Sequence, residues 1–390
     1  MRIAHVAYTF IEEDTRVLRY ITALTEQGHE VEVFCLKKPG QPWKGNAAGG
    51  TLFRLQKREL DETSPLSYFV KILRFFFVSG AWLSLRHAFR PFRLIHVHNV
   101  PDFLVFASWL PKLTGAKIIL DIHDILPELY AHKFHRSKGS FIFKALLQVE
   151  KLSTRWADHV IVANDIWLDR LTQRSVKGDK CTAMINYPDT LLFKPGPGKS
   201  KFDSDGRFVL LYPGSLNRHQ GLHVAIEAMG MLRERIPKAE LHIYGGGPTL
   251  EDLKKLVRRL GLEEKVFFQP SLPLSQIAQV EKEADAGVVP KLADGFGNEA
   301  FSTKSMEFMA CAVPVIISRT LIDTTYFTDD HVWFFNPGDP ASLADTIYKV
   351  YSNPDEVRAK VKAALDLVSK NNWEVKKHQY LNLVKSLVNA

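Results

Sequence analysis

A chain of 390 residues, 46% hydrophobic and 24% charged, is long enough for two packed cores and too apolar to remain disordered. Its formal charge of +8 is unevenly spread: residues 1–193 carry 26 Lys+Arg against 19 Asp+Glu, the remainder 25 against 24. The aromatics cluster as in a core and no nucleic-acid-binding motif is present, which argues against nucleic acid as a partner.

The first half alternates strand and helix. Strands are predicted at 3–8, 31–36, 51–55, 94–98, 117–122 and 159–163, and helices at 16–27, 65–89, 103–113 and 141–156. The first helix has Val17, Tyr20, Ile21 and Leu24 at helical spacing and stops at Gly28. Residues 38–50 are rich in Pro and Gly and read as a loop. Residues 1–6 form a strand and lack the long apolar core of a signal peptide, so a cytoplasmic chain is expected. Cys35, Cys181 and Cys311 are odd in number, far apart and set in or beside apolar runs, which predicts buried thiols in a reducing compartment.

Residues 37–93 hold 11 basic residues against 3 acidic ones, and within them runs LSYFVKILRFFFV, 66–78. Lys71 and Arg74 interrupt it short of ~18 clean apolar residues, so a membrane-spanning helix is not expected. Two readings remain: a basic, aromatic helix lying on an anionic membrane surface, and a core helix with two cations reaching to water.

The polar stretch 194–206, KPGPGKSKFDSDG, is a linker. The alternation then restarts, with strands at 208–212, 239–244, 266–268, 286–289 and 313–317. Helices follow at 223–235, 250–260, 274–284, 341–351, 355–369 and 373–390. The fold class is therefore α/β, with two tandem Rossmann-like doubly wound domains. The domains are 1–193 and 207–370, joined by 194–206, and 371–390 forms a terminal helix. Candidate ligand groups all fall at the carboxyl ends of strands, which implies an interdomain cleft.

The densest of these groups is DGFGNEAFSTKSMEFMACAVPVII, 294–317. Ser302 is a suitable N-cap for a helix whose free amides and positive dipole end suit a phosphate. Thr303, Lys304 and Glu307 share one face of that helix, and Glu299 precedes it. Upstream, YPGSLNRHQG, 212–221, is a glycine turn between a strand and a helix. Gly214 allows close backbone approach, and Arg218 offers planar donors to a diphosphate. GGGP, 245–248, is a tight loop after a strand that includes Gly246; Leu250 stands where a dinucleotide fingerprint needs its last glycine.

In the first half, Asp14 and Arg16 lie at the mouth of the first strand–helix unit. They suit an anionic part of a substrate, and Asp14 or Thr15 equally suits a helix N-cap. His123 ends a strand, where it can bond a sugar hydroxyl or act as acid or base. His96 and His98 share one strand face; without a spaced carboxylate, no metal site is expected.

Taken together the segments resemble the family-4 glycosyltransferases, retaining enzymes of the GT-B fold. The resemblance runs through GHEVEVF, IHVHN, LDIHDILPE, VEKLSTRWADHVIVAND and INYPDTLLF, then LYPGSLNRHQGLHVAIEAM, LHIYGGGPTLEDL and EAFSTKSMEFMACAVPVI. It implies a nucleotide-diphosphate sugar, UDP- or GDP-linked, bound mainly by the second domain. The glycan or lipid-linked acceptor is then bound mainly by the first, through the region of Asp14, Arg16 and His98, and the terminal helix returns to that domain. By resemblance, Glu307 holds the ribose hydroxyls, Glu299 contacts the transferred sugar and His123 reaches that sugar. Amides of Phe301, Ser302 and Thr303 cover the diphosphate, with Gly214, Gly246 and a charge from Arg218, His219 or Lys304. No cofactor or metal is implied beyond the donor. Many members carry basic residues where Ser215 and Gln220 stand here, and a glycine pair where Phe10-Ile11 stands. Alternative readings are a nucleotide-sugar 2-epimerase and a GT-B protein that binds sugar-nucleotide without catalysis.

Overall fold

The structure is a computed structural model that describes residues 1–58, 65–133, 137, 139–196 and 206–389. The chain forms two compact units: Met1–Asn186 with Lys376–Ala390, and Tyr187–Val375. The first unit thus closes seven residues before the expected boundary at Phe193. Of the expected linker 194–206, residues 197–205 lie outside the described residues.

The first unit is built on an eight-stranded sheet. Its strands are β1 Arg2–Ala7, β2 Glu30–Lys37, β3 Lys44–Ala47, β4 Gly50–Lys57, β5 Leu94–His98, β6 Lys117–Ile122, β7 His159–Val162 and β8 Cys181–Ala183. They lie in the order β3-β4-β2-β1-β5-β6-β7-β8. All pairs are parallel except β3 with β4. β1 and β5 are buried along their whole length, as expected for apolar strands covered on both faces. The segment read as a loop at 38–50 in fact contains β3. It turns back through Ala48 (φ 50°) and Gly49 (φ 78°), two successive left-handed residues that suit a tight hairpin.

The helices of this unit are α1 Thr15–Glu26, α2 Pro65–Phe89, α3 Trp109–Leu113, α4 Leu126–Lys133, α5 Phe141–Trp156 and α6 Asp165–Arg174. The expected helix 103–113 is instead a 3-10 turn, Asp102–Ser108, running into the short α3. In α2, the buried residues Ile72, Phe75, Ser79, Leu83 and His87 recur at helical spacing and set one face against the unit. The opposite face is apolar as well. By length and composition alone Ser67–Phe89, with mean hydropathy 1.4, is long and apolar enough to cross a membrane, as core helices also can be.

The second unit has a six-stranded parallel sheet: β9 Phe208–Pro213, β10 Ala239–Tyr244, β11 Val266–Gln269, β12 Ala286–Val289, β13 Val315–Ser318 and β14 Trp333–Phe335. The order is β11-β10-β9-β12-β13-β14. Its helices are α7 Leu222–Met231, α8 Leu250–Leu260, α9 Leu274–Glu283, α10 Thr303–Ala310, α11 Leu321–Tyr326, α12 Pro340–Ser352 and α13 Pro354–Lys370. Leu210, Tyr212, Ile226, Ile243, Ile316 and Leu343 form part of its core. The last helix, α14 Trp373–Asn389, carries the chain from Lys376 onward back into the first unit.

Strand order reverses between β1 and β5 in one sheet and between β9 and β12 in the other. Parallel sheets open a crevice beyond the strand ends at such points. The expected site residues collect there in each unit.

Candidate functional site

In the second unit β9 ends at Tyr212-Pro213, and Gly214 (φ 144°) turns the chain. Gly245 (φ 146°) ends the neighbouring β10, and a Cβ on it would lie 1.9 Å from the Gly214 carbonyl oxygen. The two glycine turns therefore pack backbone on backbone, which no side chain permits. Around Gly246 the space a Cβ would take is open. Gly221 (φ 69°) presses against the Pro290 carbonyl after β12, and the Leu292 amide donates to the His219 carbonyl at 2.9 Å. The loop after β9 is thus fastened to the end of β12.

Against Gly214 lies Lys304. Its Cε is 3.1 Å from where a Gly214 Cβ would be, and its Nζ sits 4.9 Å from the centre of the Tyr212 ring. Ser302 occupies the N-cap position of α10 but makes no capping bond. Its hydroxyl instead accepts from Lys304 Nζ at 3.3 Å, so the expected cap is replaced by a lysine contact. Thr303 opens the helix and Glu307 is buried one turn on. Burial pushes the Lys304 ammonium down to about 8, although Glu307 draws it upward. Behind them, Glu281 on α9 is buried and held well above the usual carboxyl range, by burial first and by Glu307 second.

The loop before α10 is anchored from below. Buried Lys291 donates to the Ala300 carbonyl at 2.9 Å and pairs with Asp323 at 2.8 Å. The Leu321 amide donates to Asn298 Oδ1 at 2.8 Å. Glu299 is half-buried on this loop, while the Phe301 ring packs edge-on against Tyr326. His219 meets the Phe296 ring edge-on at 5.7 Å. Arg218 is exposed on the 3-10 turn Arg218–Gln220, with no side-chain partner among the described residues. Sequence reasoning missed Glu281, Lys291 and Asp323. A lysine directly after a buried strand, as in VVPK, was the one local signal.

In the first unit the expected acceptor residues turn inward. Asp14 is the N-cap of α1, its Oδ1 accepting from the Val17 amide at 3.1 Å. Buried Arg16 donates to both oxygens of Asp121, at 2.7 and 3.0 Å, and to the Met184 carbonyl at 2.8 Å. Burial alone would lower its pKa; Asp121 raises it. Arg16 is therefore an internal clamp on Asp121. His98 is also buried; it faces Asp121 Oδ2 at 3.2 Å and His5 at 3.0 Å. His123 is partly open, its side chain 22% exposed and its Nε2 3.0 Å from Asp121 Oδ2. Its amide donates to Asn99 Oδ1 at 2.8 Å.

Parallel register explains the cluster: β1 sets His5 beside His96, and β6 sets Asp121 beside His98. The rings of His96 and His98 stack at 4.2 Å, and His96 Nδ1 meets the Tyr380 hydroxyl at 3.0 Å. Burial holds His5 and His96 well below the ordinary histidine value, with His98 adding to the effect. Burial opposes ionisation of Asp121, yet Arg16 and His123 hold it well below the usual carboxylate range.

Among the described residues, two groups bring three metal-type donors within 4.8 Å: His5, His96 and His98, and His98, Asp121 and His123. The second supplies the carboxylate that the sequence pattern lacked. Arg16 already places a cation on both of its oxygens, so a metal ion would have to compete with a fixed guanidinium.

Two parallel-sheet α/β units with their functional groups at the strand-order reversals define a GT-B type protein. A family model described as "Glycosyl transferase 4-like domain" matches residues 14–186 and one described as "Glycosyl transferases group 1" matches 198–365, so together they cover most of the chain. The chain belongs to the family-4 glycosyltransferases.

Relatives include the mannosylfructose-phosphate synthase of Agrobacterium fabrum, 27% identical over 240 residues, which are 57% of this chain and 52% of the relative. The putative colanic acid biosynthesis glycosyltransferase WcaL of Escherichia coli is 25% identical over 60% of this chain and 58% of its own. The chain thus spans about half the length of these curated relatives. Among solved structures, sucrose-phosphate synthase from Thermosynechococcus elongatus superposes with TM-score 0.79 at 21% identity, covering 99% of both chains. Anabaena HepE in complex with UDP gives 0.73 at 17%, covering 99% of this chain and 100% of its own. At these identities the likeness shows the fold.

Proposed function

We propose that this glycosyltransferase moves a sugar from a UDP- or GDP-sugar to a hydroxyl of a glycan or lipid-linked acceptor. Transfer retains the anomeric configuration and needs no divalent metal. The carrying observation is Lys304, held against the paired glycine turns Gly214 and Gly245 at the start of α10, with Glu307 one turn behind. That arrangement offers a cation, helix amides and open backbone to a diphosphate, and a carboxylate to ribose hydroxyls. Complexes of Anabaena HepE with UDP and UDP-glucose support a nucleotide-sugar donor here. His123 and Glu299 are the groups assigned to the transferred sugar. The departing diphosphate takes the acceptor proton, and the protein's part is positioning and charge stabilisation. Calorimetry with UDP, GDP and their sugars tests the reading. One nucleotide should bind to the native chain and bind much more weakly to Glu307→Ala; equal affinity in both overturns the site.

We also propose that the first unit works on the cytoplasmic face of an anionic membrane. On α2 the exposed Phe69, Val70, Phe77, Leu85 and Phe89 accompany Arg74, and the helix has no acidic residue. On α5 the exposed residues include Phe141, Ile142, Lys144, Lys151, Leu152 and Arg155, while its one acid, Glu150, is buried and paired with Arg174. Apolar anchors among cations without acids fit an anionic lipid surface. Co-sedimentation with vesicles containing phosphatidylglycerol should exceed that with neutral phosphatidylcholine vesicles and fall in Lys144→Glu/Lys151→Glu; equal binding to both vesicle types overturns it.

A further inference from the structure

Asp121 lies wholly inside the first unit and is surrounded by donors. Its Oδ1 accepts from Arg16 Nη2 at 2.7 Å, and its Oδ2 faces Arg16 Nε at 3.0 Å, His98 Nδ1 at 3.2 Å and His123 Nε2 at 3.0 Å. The two Arg16 contacts fix the carboxylate in its ionised form, and an ionised carboxylate can only accept hydrogen bonds. Each ring nitrogen facing it must therefore carry a hydrogen, and the 3.3 Å approach of His98 Nδ1 to His123 Nε2 is then two donors converging on one carboxylate oxygen, both nearer to that oxygen than to each other.

That requirement propagates. His98 bears its hydrogen on Nδ1, so its Nε2 is a lone pair, matched by His5 Nδ1–H at 3.0 Å. His123 bears its hydrogen on Nε2, so in the neutral ring Nδ1 is bare. Nδ1 of His123 has no protein partner among the described residues, and His123 is the one open ring of the three. The Asn99 bond to the His123 amide fixes the backbone, and Asn99 is itself held by Asp102 at 2.7 Å and the Asp124 carbonyl at 2.9 Å.

We propose that Asp121 is a positioning residue that locks His123 in the Nε2–H tautomer, so that the ring presents Nδ1 to substrate as an acceptor. The ligand group it meets must then donate: a hydroxyl fits, and an ether, a carbonyl or a deoxy position does not. Resting on the glycosyltransferase reading, the group is a hydroxyl of the transferred sugar, and Asp121 sets a specificity against sugars that lack it.

The test is long-range proton–nitrogen NMR on the full chain with nitrogen-15 histidine, run without any nucleotide, with His123 assigned through His123→Gln. The expected result is a single tautomer, protonated at Nε2 and bare at Nδ1; a His123 protonated at Nδ1, or an even mixture, overturns the proposal. Asp121→Asn should release the tautomer and lower kcat by on the order of 10²–10⁴-fold, with a smaller change in KM. An unchanged tautomer and kcat in that variant also overturns it. Where Asp121→Asn does not fold, the native spectrum decides alone. Because that spectrum involves no donor, a chain that shows the tautomer but binds no nucleotide sugar refutes the glycosyltransferase reading and leaves the lock standing.

Discussion

The two units share a parallel sheet, a strand-order reversal and a cluster of polar groups beyond it, yet they arrange those groups differently. In the first, Arg16, His98 and Asp121 bond to one another and leave one histidine edge open, while His5 Nε2 and His96 Nε2 are buried without a hydrogen-bond partner among the described residues. In the second, Lys304, Glu307 and Glu281 are crowded together; Glu281 Oε1 has no hydrogen-bond partner among the described residues, and Arg218 stands in solvent. A carboxylate held by a fixed guanidinium orients the rings around it; a half-buried lysine beside two carboxylates is placed to receive charge.

Acid should separate the units most strongly. His5, His29, His87, His96, His98 and His159 of the first unit all sit below the ordinary value of 6.5, chiefly through burial. The unfolded chain binds protons that the folded unit refuses, so this stability is present above pH 6.5 and is lost as pH falls below it. Asp102, pushed up to about 7 by burial, and Asp124, also raised by burial, act in the opposite sense and are outnumbered. Glu281 is raised above 4.5, so the folded second unit binds its proton more tightly and gains on acidification. Hydrogen exchange at pH 5 should therefore open peptides of the first unit first; earlier opening of the second breaks the comparison.

Gly245→Ala should come next. It forces a Cβ to 1.9 Å from the Gly214 carbonyl at φ 146°, and should cost about 3 kcal/mol or more, read as a lower melting transition of the second unit alone. Lys304→Ala should weaken nucleotide-sugar binding by about 2–3 kcal/mol, the scale of a charge-assisted contact in a shielded site, measured by calorimetry. Arg218→Ala should be mildest, within about 1 kcal/mol, because an exposed guanidinium is screened and mobile. A larger effect for Arg218 than for Lys304 would transfer the diphosphate's main partner to the loop after β9.

What was readable in the sequence follows the same division. Glu299, Ser302, Lys304 and Glu307 lie within nine residues, so their shared neighbourhood was visible from spacing, as was the strand–helix alternation. The Arg16–Asp121 clamp joins residues 105 apart, one on α1 and the other on β6, and no local pattern links them. Arg16 and His98 were accordingly expected at a ligand and are buried instead. Glu281 was hidden because a carboxylate on a helix reads as a surface group until its neighbours are known. β3 was missed because Lys-Gly-Asn-Ala has no β-branched or aromatic residue; its pairing with β4 supplies what its composition lacks.

Tyr380 is fully buried in the first unit, its ring 4.4 Å from Tyr20 and its hydroxyl against His96, yet it is translated after the whole second unit. During vectorial synthesis the sheet that emerges first is therefore the one completed last, with the face that meets Tyr20 and His96 unsealed until α14 clears the ribosome.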